Sequence, residues 1–192
     1  MATKPEFRTK AIKNDKLLDP IKEFTDKSVF IGVTEQKTGR SPGPGRSGPQ
    51  PTNAELAYIH ENGSPARNIP ARPFLRPAIA QLRDLAAPIF MQTAKAEMAG
   101  NKGSVLRGLN RVGQMGVALA KGIILAGDFK PLAAQTIRDR ARRRAKGMRD
   151  GEKDVTLSKR TQTQLNSIGI DAPLLDTKQL YDSISYSIRK NK

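Results

Sequence analysis

Cysteine is absent from this chain, so neither a disulfide framework nor a thiolate metal site is open to it. Tryptophan is absent as well, and aromatics make up only 5% of residues. Any core must therefore be built mainly from Ile, Leu, Val and Ala. There is one histidine, His60. Without cysteines it cannot anchor a plausible zinc cluster. A Ser–His–Asp site would have to run through it, and no G-x-S-x-G elbow accompanies it. His60 falls near the end of a predicted short helix, beside Glu61, which reads as a surface or capping histidine. A hydrolase is the rival reading, and His60→Ala would test it. No paired-carboxylate motif stands out, and Gly43 to Gly48 (GPGRSG) lacks the spacing of a phosphate-binding loop. No apolar run approaches the roughly 20 residues that cross a bilayer. Met1 to Lys16 has no apolar stretch of the signal-peptide kind. These absences lead us to expect a soluble protein made in a cytoplasm, with no catalytic residue, metal or cofactor, that acts by binding.

Positive charge is what the chain has in excess. Lys and Arg number 34 against 18 Asp and Glu, a formal charge of +16 and a pI near 10.4. Such a surplus draws anionic partners and speeds their encounter. Nucleic acid, an anionic membrane and an acidic protein surface all qualify, and charge alone does not choose.

The 192 residues suit a single domain. Residues 1–17 are polar and mixed in charge and read as a flexible arm; residues 18–190 read as one α+β domain. Val29, Ile31 and Val33 alternate within SVFIGVT, the period of a strand. Residues 36–53 are rich in Gly and Pro and carry Arg40 and Arg46, which predicts a long extended loop. Thr52 and Glu55 have capping-box spacing before a short helix that Gly63 can stop. Four prolines in Ser64 to Pro77 forbid a helix before about Arg76. A helix follows, with Leu75, Ile79, Leu82, Ala86 and Ile89 in one stripe and Pro88 expected to kink or divide it. Ser104 to Leu125 predicts a second, with Val105, Leu109, Val112, Leu119 and Ile123 in line. Gly113, Gly116 and Gly122 lie beside that stripe, which suggests close approach of another backbone.

Residues 136–160 form a basic helical segment. Its apolar edge runs through Ala134, Ile137, Ala141, Ala145 and Met148. Its other faces carry Arg138, Arg140, Arg142, Arg143, Arg144, Lys146 and Arg149. These seven are candidate contacts for DNA or an acidic partner; a solvated helix face is the plainer alternative. No aromatic interleaves with them, which disfavours single-stranded nucleic acid. Asp176 and Gln179 suit a further capping box. SISYSI at 183–188 alternates as a half-buried strand expected to pair with residues 29–33. The fold class expected is α+β, a small mainly antiparallel sheet packed against two or three α-helices.

Three segments, in order, resemble one family. Ala54 to Ala78 contains His60-Glu61-x-Gly63 and then Ile69-Pro70-Ala71-Arg72-Pro73-Phe74-Leu75-Arg76. Pro131-Leu132 with Thr136-Ile137 precedes the basic run. Pro173 to Ile188 reads PLLDTKQLYDSISYSI. Together these are similar to the neck, tail-completion or head–tail joining proteins of long-tailed bacteriophages. Lys178 stands where that family usually has glycine. The resemblance implies a structural virion protein that forms a homo-oligomeric ring at the head–tail junction, assembled in the host cytoplasm. Its partners would be other copies of itself and other neck, connector or tail proteins, with double-stranded DNA passing through the ring and no membrane involved. Arg72, Phe74 and Arg76, with Arg40 and Arg46, are the candidate subunit-interface residues; Phe74 also has the composition of a residue filling its own subunit's core. A basic, sequence-independent nucleic-acid-binding protein is the alternative.

Overall fold

The computed structural model describes residues 22–23, 25–34, 39, 51–151 and 172–191; for residues 144–151 only the backbone is described. The arm at 1–17, Arg40 and Arg46, nearly all of the 36–53 loop and the end of the basic segment lie outside the described residues.

Among the described residues, two strands and five α-helices make a mixed α+β fold. Strand β1 (Lys27–Val33) pairs antiparallel with β2 (Ile184–Lys190) across almost the whole chain length. The register sets Val29 opposite Ile188, Ile31 opposite Tyr186 and Val33 opposite Ile184. That keeps the apolar alternate residues of both strands on one face, as a period of two requires. Phe30 points the other way, 52% exposed, with the Arg189 guanidinium 5.5 Å from its ring centre.

Between the strands come α1 (Asn53–Asn62), α2 (Leu75–Met98), α3 (Ser104–Ala126), α4 (Ala134–Gly151) and α5 (Gln179–Ser183). Helix α1 starts at the expected capping box. Thr52 Oγ1 accepts the Glu55 N–H, and the Glu55 carboxylate accepts the Thr52 N–H. That backbone hydrogen bond, helped by the Thr52 hydroxyl, holds the Glu55 carboxyl below its ordinary range. Gly63 ends the helix at φ +77, where a Cβ would lie 2.9 Å from the Ala71 nitrogen, so no other residue fits without displacing backbone.

Helix α2 runs unbroken through Pro88. The proline sits on an exposed side, where water can hydrate the carbonyl it leaves unbonded. The stripe expected on α2 packs inward, with Leu82, Ala86 and Ile89 against Val112 of α3.

Helix α3 is the centre of the molecule, packed by α2 and by both strands. Of Gly113, Gly116 and Gly122, two are contact sites, but for side chains and not for backbone as expected; Gly108 is a third such site on α3, against Thr93. A Cβ on Gly113 would meet the Tyr186 ring, and one on Gly116 would meet Ile31 and Leu82. The sheet can settle closely on α3 only because those Cβ atoms are missing. Gly122 has nothing within 4 Å of its Cβ position. Tyr186 spans α3 and donates its hydroxyl to Asn110 Oδ1 at 2.9 Å.

The capping box expected at Asp176 and Gln179 does not form. Helix α5 begins after Lys178 with no side-chain cap, and Lys178 itself has φ +57. A left-handed backbone costs an L-residue about 1 kcal/mol that glycine does not bear. Lys178 is exposed, so nothing else is lost on replacing it. We expect Lys178→Gly to raise the melting temperature by about 2–4 °C, as about 1 kcal/mol does in a chain this size. An unchanged or lower melting temperature in calorimetry would contradict this account of the turn.

Candidate functional site

Three stretches far apart in sequence meet around one cleft of about 1050 Å3. Its walls come from α1 and residues 67–72, from residues 130–143, and from residues 174–180.

Arg72 joins the first wall to the second. Its backbone N–H donates to the His60 carbonyl at 2.6 Å. Its side chain crosses to the other wall, where Nε donates to the Lys130 carbonyl at 3.0 Å and Nη2 to that of Pro131 at 3.3 Å. Arg72 is only 4% exposed, and it has no carboxylate partner among the described residues. Loss of water around the guanidinium lowers its pKa from the ordinary value, though an arginine remains charged throughout the physiological range.

Glu61 anchors the start of α2. Its carboxylate is buried and accepts three successive backbone N–H groups, from Phe74, Leu75 and Arg76, each at 2.9 Å. The N-terminus of α2 would otherwise leave those donors unbonded, because its N-cap residue, Phe74, has no side-chain acceptor. The helix dipole adds to the attraction. The guanidinium of Arg76, 71% exposed and 3.9 Å from Glu61 Oε1, contributes little.

Asp176 joins the second wall to the third. Its Oδ2 accepts from Arg143 Nη2 at 3.1 Å and lies 3.8 Å from Arg140 Nε. Arg140 Nη1 also donates to the Ala172 carbonyl at 2.8 Å. No other helix or strand packs broadly against α4 among the described residues, so these arginines hold it to the body. We expect Asp176→Ala to cost about 2 kcal/mol, because it leaves the buried Arg140 without its carboxylate; the partial exposure of the pair keeps the loss below that of a fully buried one. In hydrogen exchange α4 should lose protection while α3 and the strands keep theirs. Unchanged protection of α4 would show that another contact docks it.

The candidate residues thus fall in different places. Phe74 is fully buried in the chain's own core, and Arg72 is interior too; Arg76 is exposed. The basic helix is not uniformly solvent-facing as expected. Arg138 and Arg142 are exposed, but Arg140 is buried and Arg143 half-buried, both turned onto Asp176. The most buried described residue of α4 is Arg140, not a member of its apolar edge, of which Ala134 is exposed and Ile137 and Ala141 half-buried. Side chains of Arg144, Lys146 and Arg149 lie outside the described residues.

Two organising residues have no signal of that role in the sequence. There Glu61 is one letter of a motif, and Asp176 has the spacing of a helix cap. A lone carboxylate carries no periodic signal of what it will accept from. Among the described residues no group of His, Asp and Glu could hold a metal ion, and no helix is long and apolar enough to cross a membrane. Comparison with protein-family models, with curated protein sequences and with solved structures returned no match.

Proposed function

We propose that the chain is a structural protein of a tailed bacteriophage, a neck or tail-completion subunit that joins head to tail as part of a ring around the DNA path. The observation that carries this reading is the meeting of the three phage-like stretches around one cleft. They are separated by tens of residues, yet Arg72, Asp176 and the α1–α5 contact lock them into one joint. A shared motif set that builds one structural unit supports the resemblance better than three scattered matches would. The surface adds to it. Tyr58 on α1, Met91 on α2 and Leu125 on α3 are 71%, 61% and 61% exposed. A closed ring buries two different faces of each subunit, and exposed apolar side chains on separate helices suit that.

Electron microscopy of the purified chain and of particles from its host tests the reading. Rings, and labelling at the head–tail junction, are expected. A chain that stays monomeric and is missing from particles would end it. The outward basic face is tested with Arg138→Glu and Arg142→Glu together, since Arg140 and Arg143 are committed to Asp176. We expect infectious yield to fall at least tenfold, with separate heads and tails accumulating, while the isolated subunit melts as the parent does. Full infectivity would remove this face from assembly.

The charge of +16, with Arg138 and Arg142 free of ion pairs among the described residues, favours sequence-independent nucleic-acid binding as the second reading. Neutralising several phosphates makes affinity fall steeply with salt. Tight, salt-sensitive binding of duplex DNA by the free subunit, without rings, would favour it.

A further inference from the structure

We infer that the cleft receives an extended protein segment carrying a carboxylate among aliphatic side chains, and that Arg72 receives the carboxylate. This deepens the joining role, and it rests on that role only for the identity of the partner.

The arginines around the cleft are unequally compensated. A guanidinium stripped of water is costly unless an anion compensates it. Arg140 and Arg143 have Asp176; Arg72 has two carbonyl oxygens and no acid among the described residues. Its Nε and Nη2 are used, and Nη1 has no acceptor among the described residues. Arg72 nevertheless lines the cleft, where an incoming group can reach it. Arg67 and Lys130, both exposed, stand on the same cleft and add positive charge at its rim. A carboxylate seated on Arg72 would gain a charge-assisted hydrogen bond in a poorly solvated place.

The rest of the lining selects the class of occupant. Leu56, Ile69, Leu132 and Leu174 give the cleft aliphatic walls. These suit the side chains flanking a carboxylate in a peptide. They suit nucleic acid poorly, because among the described residues no Phe, Tyr or Trp lines the cleft and His60 is its one aromatic ring for base stacking. Asp139 and Asp176 on the same walls would repel a run of phosphates while tolerating one well-placed carboxylate. The volume of about 1050 Å3 admits several residues, far more than a free anion needs.

The test uses the full chain and a fluorescent, end-blocked peptide of eight residues alternating leucine and serine, with one central serine replaced by glutamate. Its counterpart has glutamine for glutamate. The glutamate peptide should bind at least tenfold more tightly by fluorescence polarisation. Arg72→Lys keeps the charge but loses the fork, and should weaken binding at least fivefold. Because Arg72 also holds Lys130 and Pro131, a second variant is needed that leaves the fold alone. Ala133→Trp fills the cleft from an exposed position on its wall and should lower affinity at least tenfold. Equal affinity for the two peptides, no binding of either, or binding unaffected by Ala133→Trp would overturn the inference. So would displacement by inorganic phosphate or duplex DNA at matched charge, which would make the site a general anion site. Rings without peptide binding would leave the joining role standing and remove this inference; peptide binding without rings would do the reverse.

Discussion

Replacing Ile184 with aspartate is expected to abolish cooperative folding. Ile184 is 2% exposed, at the point where β2 leaves α5, and it packs in one cluster with Phe74, Ala120, Ile124 and Leu180. The change removes about 3 kcal/mol of apolar burial at most, and it also places a carboxylate among groups that offer it no donor. The combined loss exceeds about 4 kcal/mol, a large part of the 5–15 kcal/mol that a domain typically has. Circular dichroism should show no sharp thermal transition, and the protein should be recovered largely insoluble. Ile184→Val, which deletes one methyl group, should cost only about 1 kcal/mol and melt cooperatively. A soluble Ile184→Asp variant with the parent's melting curve would mean that the strand is not where the structure has it.

Glu61→Ala is expected to lower the melting temperature by about 10 °C. The alanine leaves three backbone donors at the start of α2 without acceptors, in a site too buried for free hydration. Hydrogen bonds to a charged group are worth about 1.5–3 kcal/mol each and do not add fully, so the total is about 3 kcal/mol or more. In a chain of this size each kcal/mol moves the transition by about 2–4 °C. Glu61→Gln should fall between. Its one oxygen can keep the Phe74 and Leu75 bonds, while its amide group faces the Arg76 N–H as donor to donor. The order parent, Gln, Ala in calorimetry checks the geometry. An Ala variant as stable as the parent would show that water or another group replaces the carboxylate at no cost.

These two residues mark the difference between what was legible in sequence and what was not. Ile184 was readable because a strand repeats every two residues, so ISYSI announces its own buried face. The same holds for the stripe on α2 and for the capping box at Thr52, whose partners lie within four residues of one another. Pairing β1 with β2 was also within reach. Two half-buried strands each need a partner, and no other strong strand pattern competes for them.

Glu61, Asp176, Arg72 and Arg140 were not legible in this way. A charged residue has no period, and its role depends on which backbone or counter-ion the fold brings to it. Read along the chain, Arg140 is one of several equivalent cations on a basic helix. In the structure it is buried because the helix approaches Ala172 and Asp176 there, more than 30 residues away. The glycines of α3 make the same point from the side of packing. Their lack of a Cβ is visible in sequence, but that Tyr186 and Ile31 occupy the space is decided only when the sheet closes on the helix. Local periodicity thus determined the helices, the strands and most of the apolar core, because those depend on neighbours within a turn or a pleat. The cleft, its arginine with no acid among the described residues, and the split of the basic helix into tethered and exposed charges arose only in the tertiary structure. They depend on distances between segments that the chain order does not contain.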